Sequence, residues 1–364
     1  MGSPAAIAEH VGAASRHDVP SLDGLRAVSI AIVILSHTKS LLPAALVNSG
    51  LFRYSIGGGL HGVQVFFVIS GYLITTLLLR EFDRTGDISL RRFYARRTLR
   101  IFPPFYIYLG VLAALWVARL APEDPSTFLA AATCTIIYHP NPQGWLVEHA
   151  WSLSIEEQFY LLWPLMLLIA YRRKVAVRVA ISVLSVMPIL RAVVCLTGSH
   201  AATEHSRLLV NSGAIDMLMI GCLLALVRNG ARWQRWFELK ANAWLVIVLL
   251  ALGLVIVPYA AAKLSGSALV LVIAFGYTIT ALAIGALLEY VVRRPRSIAG
   301  SILNRPVLRH LGVISYSLYL WQQLFTANPA RFGVFTCALI LAAAELSFWI
   351  VERPVMRLRA RLLV

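Results

Sequence analysis

The chain has 364 residues, of which 59% are hydrophobic and only 14% charged, and its mean hydropathy is +0.74. Soluble domains are roughly 45–50% apolar and about 25% charged, so this composition excludes a soluble globular enzyme and points to an all-α, polytopic helical bundle in a membrane. The net charge of +16, from 33 basic and 17 acidic residues, would suit nucleic acid only if the basic residues shared one surface; they cluster instead at alternate ends of apolar runs, so no nucleic-acid partner is expected.

Residues 1–20 include Glu9, His10, Arg16 and Asp18 and contain no apolar h-region, so no cleavable signal peptide is expected. Gly2 is followed by Ala6 where a myristoylation motif wants a hydroxyl. Apolar runs between charged flanks predict about ten transmembrane helices, near 22–42, 60–80, 101–120, 151–171, 176–196, 209–227, 241–260, 267–290, 310–327 and 332–351. An even number puts both termini on one side. With the N-terminus in the cytoplasm, the clusters 80–100, 172–178, 228–240, 293–309 and 353–361 all face inward, and only 7 of the 33 basic residues fall at or toward the other side. The expected organisation is a cytoplasmic tail over 1–20, a membrane unit over 21–354 and a basic cytoplasmic tail over 355–364, in the inner (cytoplasmic) membrane.

The first span, 22–42, carries Arg26 and His37 inside it. Eleven residues apart, they share one helix face about 16 Å apart along the axis, and ionisable groups inside a span are costly enough to suggest function. Taken singly, a snorkelling Arg26 and a His37 bonded to a neighbouring helix are the better explanation, and only the surrounding motifs reverse it. Before the third span, RRFYARRTLRIFPP sets Arg96, Arg97 and Arg100 on one helix face, where forked guanidiniums suit phosphate oxygens, of a ligand or of lipid head groups alike. Pro103 and Pro104 are then expected to open or break that span.

The outer connection 121–150 contains the apolar piece 128–138, too short to span and expected to be re-entrant or interfacial. HAWSLSIEEQFYLLWP follows. Ser154 with Glu157 fits a capping box, which leaves Glu156 as the carboxylate without a structural reason. His149 and Trp151 suit a sugar-binding rim, although an interfacial aromatic belt accounts for the tryptophan too. Asp216, in the outer half of its span, is either part of a substrate site or a buried structural hydrogen bond. Gly57 to Gly59 with His61 reads as a flexible outer turn. Cys134, Cys195, Cys222 and Cys337 stand singly and read as small buried hydrophobes. No metal-ligand spacing appears, so no metal is expected. No internal repeat or pair of interrupted helices marks an inverted-repeat transporter.

Six of these stretches, in order, resemble the membrane-bound acyltransferase 3 family of O-acyltransferases: LDGLRAVSIAIVILSH, GVQVFFVISGYLI, RRFYARRTLRIFP, WSLSIEEQFYLLWP, ISYSLYLW and VERP. The resemblance covers nearly the whole chain. It implies transfer of an acyl group, usually acetyl, from cytoplasmic acetyl-CoA or another acyl-CoA to a hydroxyl of an extracytoplasmic saccharide or glycoconjugate. Arg26, Arg97 and Arg100 would hold the CoA phosphates at the inner mouth. Neutral His37 would act as general base on the far side, oriented by Glu156 or Glu157, with Asp216, His149 and Trp151 toward the acceptor; an acyl-histidine is the rival mechanism. Gln64 and Gln322 stand where many relatives carry Asp and His, and neither is assigned a catalytic role. The soluble esterase-like domain of some relatives is absent here, so the chain is expected to work as the membrane unit alone or with a separate partner. A transporter or flippase for a lipid-linked or anionic solute is the alternative from another class, and a non-catalytic scaffold ranks below both.

Overall fold

The computed structural model describes residues 20–362 apart from 51, 58, 121–123, 141, 143, 198–201, 231–232, 236–241 and 328–333. All but Pro20 of the expected N-terminal tail, and Arg331 of the outer basic residues, lie outside the described residues. Ten main helical segments follow one another: α1 Pro20–His37, α2 Leu60–Thr85, α3 Leu90–Val117, α4 Ala150–Arg172, α5 Ala176–Thr197, α6 Ala202–Val227, α7 built from Asn242–Ala251 and Val257–Lys263 around a π turn, α8 Gly266–Arg293, α9 Ser315–Thr326, and α10 built from Val334–Ser347 and Arg353–Leu362 around the π turn Phe348–Glu352. There is no strand among the described residues. Each expected span has a helix at its place, and seven helices are long and apolar enough to cross a membrane by length and composition. The chain is a multi-pass membrane protein. The remaining three are shorter or less apolar: α1 with 18 residues, the apolar part of α6 (Gly213–Val227), and α9 with 12.

Two apolar clusters form the interior. One joins α1, α2, α6, α8 and α9 through residues such as Leu25, Phe67, Met217, Ile284 and Leu318. The other joins the inner part of α2 to α3 and α4 through Leu78, Phe105, Leu112, Trp163 and Leu167. Lipid offers no hydrophobic drive between helices, so close approach depends on small residues. A Cβ on Gly71 of α2 would lie 2.0 Å from Leu218 O of α6, and one on Gly221 of α6 would lie 2.2 Å from Val68 O of α2. The two backbones are therefore in mutual contact. In the same way Gly312 admits the Asp23 carbonyl of α1, to which a Cβ would approach within 1.9 Å.

Several sequence expectations are corrected here. α1 stops at His37, five residues before Leu42: the Ser36 and Thr38 hydroxyls bond back to Val33 O and Ile34 O, and a 3-10 turn, Lys39–Leu41, and then Pro43 follow. His37 is thus the last residue of the helix instead of lying inside it. α3 starts eleven residues earlier than the expected span, capped by the Ser89 hydroxyl, which accepts from Arg92 N. Arg97 and Arg100 are therefore about 10 and 15 Å inside a helix and not at its edge. Pro103 and Pro104 lie within α3 without ending it, and nearby the Tyr316 hydroxyl donates to Ile101 O at 2.8 Å, tying α9 to the backbone of α3. α4 begins at Ala150, so Ser154 is internal and bonds back to Ala150 O at 2.9 Å, and the capping box does not form. The stretch 128–138 divides between the helix Pro125–Ala132, capped by Asp124, and the 3-10 turn Ile136–Tyr138. Hydrogen bonds from Ser126 and Thr127 hold the Asp124 carboxyl below the usual carboxylate range.

Candidate active site

One face of α4 organises the site. His149, the residue preceding the helix, then Ser152, Glu156 and Tyr160 recur every three or four residues and point the same way. They line a cavity, partly open to solvent, that is bounded by Arg26 from α1, Phe66 and Ser70 from α2, Arg97 and Arg100 from α3, and Tyr316 and Tyr319 from α9. From His149 to Tyr160 the cavity follows α4 for about 16 Å.

Its two ends differ in chemistry. At the Tyr160 end, the Arg97 guanidinium lies over the Tyr160 ring, 4.7 Å from its centroid, and 6.0 Å from that of Phe93. Arg26 is held one turn from Asp23, with 3.6 Å between their charged atoms. Glu156 accepts a 2.6 Å hydrogen bond from the Ser70 hydroxyl and interacts electrostatically with Arg97 and Arg26. The other end carries the imidazole of His149, which is 4% exposed. Its Nδ1 meets Gln323 Oε1, and the rings of Tyr108 and Tyr319 stand edge-on to it at 5.4 and 5.3 Å. The Tyr319 hydroxyl reaches both Ser152 and the His149 carbonyl.

The geometry thus brings together five of the nine residues singled out in the sequence: Arg26, Arg97, Arg100, Glu156 and His149. Glu156 shares the cavity with the arginines, which corrects the expected separation of carboxylates and arginines to opposite sides; Arg97 and Arg100 lie well inside α3, and α4 passes them. Glu157, one residue on, projects away from the cavity, and its Oε1 is buried without a partner. Trp151 likewise turns aside and packs edge-on to Phe67 at 6.0 Å. His37 lies outside the cavity lining: its Nδ1 meets Gln322 Oε1 at 2.7 Å, and its ring is 5.0 Å from that of Trp145. Trp145 in turn donates to Gln323 O at 3.1 Å, so His37 and His149 are tied to neighbouring residues of α9.

Asp216 is elsewhere. It pairs with Arg191 of α5 at 2.7 Å, both side chains fully buried, and accepts from the Thr278 hydroxyl of α8. That is the structural reading of Asp216, with a charge as its partner. The other motifs serve the frame of the cavity: the Ser317 hydroxyl of ISYSLYLW donates to Glu352 of VERP, and Gln64 bonds His61 at 2.6 Å. Sequence reasoning passed over Ser70, Tyr160, Tyr319 and Gln323. The first could not be found from pattern, but Tyr160 was signalled by its four-residue spacing from Glu156. No group of three or more metal-ligating side chains occurs among the described residues.

Comparison with known proteins agrees with this architecture. The Acyltransferase domain family model matches residues 19–344. Similar curated proteins include the putative peptidoglycan O-acetyltransferase YrhL of Bacillus subtilis (strain 168), 29% identical over 93% of this chain and 55% of its own length. The peptidoglycan O-acetyltransferase OatA of Listeria monocytogenes is 28% identical over 94% of this chain and 56% of its own, and the O-acetyltransferase OatA of Staphylococcus aureus (strain NCTC 8325) is 28% identical over 93% and 57%. The chain therefore spans a little over half the length of the curated relatives it matches. No solved structure matches it. With a family model covering most of its length, the chain belongs to the Acyltransferase domain family, the acyltransferase 3 family that its six motifs resemble.

Proposed function

We propose that the chain is the membrane unit of an O-acetyltransferase, taking acetyl from acetyl-CoA on the cytoplasmic side and delivering it to a hydroxyl of a saccharide on the other. The observation that carries this reading is the cavity that gathers Arg26, Arg97 and Arg100 around Glu156 with an imidazole at its far end. Guanidiniums are forked donors matched to phosphate oxygens, and the cavity interior strengthens such contacts by excluding water. Glu156 offsets part of the charge of Arg26 and Arg97 in the resting protein. The distribution of basic clusters supports a reading in which both termini and the arginine end of the cavity face the cytoplasm.

His37, at the outer end of α1, is the base for the acceptor hydroxyl; Gln322 holds its Nδ1 and thereby its ring orientation. The acceptor we propose is a peptidoglycan-type glycan, the class printed in the names of two relatives. The test is transfer itself. Purified protein in lipid nanodiscs, given [acetyl-14C]acetyl-CoA and glycan strands, is expected to place label on the glycan in a base-labile ester. Label that stays with CoA in a folded preparation, across peptidoglycan and other surface saccharides, would contradict the reading.

A further inference from the structure

One buried polar atom in the cavity has no part in that division of labour. His149 lines the cavity, and its Nε2 has no hydrogen-bond partner although the residue is 4% exposed. Leaving a buried acceptor unpaired is costly, and such groups concentrate where chemistry uses them.

The protonation pattern of this imidazole follows from its neighbour. Gln323 Oε1 accepts the backbone N–H of His149 at 3.2 Å and also faces Nδ1. A backbone N–H can only donate, so the atom it meets is the amide oxygen of Gln323. Nδ1 must then carry the proton it offers to that oxygen, and Nε2 keeps its lone pair. Tyr108 and Tyr319, edge-on to the ring, fix the direction of that lone pair. The cavity therefore presents a fixed nitrogen nucleophile at the end opposite Arg97. Gln322 and Gln323, adjacent on α9 and both buried, each hold one histidine by Nδ1.

We propose that His149 receives the acyl group from the thioester, as a transient Nε2-acyl-imidazole, before the acceptor hydroxyl takes it. The inference rests on the acetyl-CoA reading above. In the first step the Nε2 lone pair attacks the thioester carbonyl carbon, the C–S bond breaks and CoA leaves as its thiolate, while Nδ1–H remains bonded to Gln323 Oε1 and shares the positive charge of the acylated ring. In the second step the acceptor hydroxyl gives its proton to His37 Nε2, its oxygen attacks the acyl carbon and the C–N bond breaks, restoring neutral His149. The proton on His37 passes through solvent to the thiolate, so the products are ester and CoA thiol. Donor and acceptor never have to occupy the cavity together.

The decisive experiment omits the saccharide. Wild-type protein is mixed with unlabelled acetyl-CoA and radiolabelled CoA, and label entering the acetyl-CoA pool is followed beside acetyl-CoA binding. Wild type is expected to exchange label; His149→Gln is expected to lose at least ~10²-fold of that exchange with binding retained, since the nucleophile itself is gone. His37→Gln is expected to keep exchange and lose transfer to glycan. Gln323→Leu, which removes the oxygen that orders the imidazole, is expected to slow exchange and decides the matter should His149→Gln fail to fold. Exchange surviving His149→Gln or unaffected by Gln323→Leu, or a wild type that acetylates glycan without exchanging CoA, overturns the acyl-imidazole. A folded wild type that neither binds acetyl-CoA nor transfers from it overturns the donor reading instead.

Discussion

Asp216→Ala is expected to destabilise the bundle by about 3–5 kcal/mol, because it leaves the Arg191 guanidinium buried without its counter-charge. Arg191 is 1% and Asp216 0% exposed, and the pair joins α5, α6 and α8 through Thr278 and the Ala274 carbonyl. In thermal unfolding in detergent this corresponds to a fall in Tm on the order of ten degrees. Arg191→Met combined with Asp216→Leu is expected to recover most of the loss, since a buried ion pair can often be exchanged for apolar packing at little cost. The double variant should also keep acetyl transfer. A double variant that is stable but has lost acceptor affinity would return Asp216 to the substrate site.

Glu156→Gln is expected to lower the rate of acetyl transfer by roughly 10²-fold or more while acetyl-CoA affinity holds or rises. The amide keeps the shape of the carboxylate and can still accept from the Ser70 hydroxyl, so packing is preserved. What it removes is the negative charge among Arg26, Arg97 and the incoming donor. An anion then meets more uncompensated positive charge and binds at least as well, whereas the arginines are no longer held in the arrangement that aims the thioester at the imidazole end. Separate measurement of kcat and KM checks this split. Glu157→Gln, outside the cavity, is expected to leave kcat within a few-fold. Equal losses for the two glutamates would mean that the cavity face of α4 is not the working face.

The sequence was most readable where one residue type in one pattern has one physical consequence. Apolar runs bounded by arginines gave a helix at each expected position, and the ordered motifs gave the family. It was least readable where a charge is neutralised by a residue far along the chain. Arg97 and Arg100 looked like the flank of a span because hydropathy assigns any arginine to water; inside α3, Arg97 lies over the Tyr160 ring and interacts electrostatically with Glu156 of α4, and Arg100 interacts with Glu352. Asp216 stayed open between a substrate role and a structural one because its partner, Arg191, is 25 residues away on another helix. Ser154 fitted a cap because pattern alone does not fix where a helix starts, and a start at Ala150 turns the same hydroxyl inward to the preceding turn. His149 and Gln323 are 174 residues apart, and nothing local to either reports that the second fixes the proton of the first.

The proposed function requires that the cavity between α3 and α4 bind the acyl-CoA donor through its arginines. Calorimetric titration of acetyl-CoA into the purified wild type and into Arg97→Gln/Arg100→Gln tests it most directly. Saturable binding is expected of wild type, with a loss of roughly 10²-fold or more in the double variant, at unchanged Tm, from the removal of two charge-assisted phosphate contacts. Equal affinity in both proteins, or no binding to a folded wild type, would contradict it.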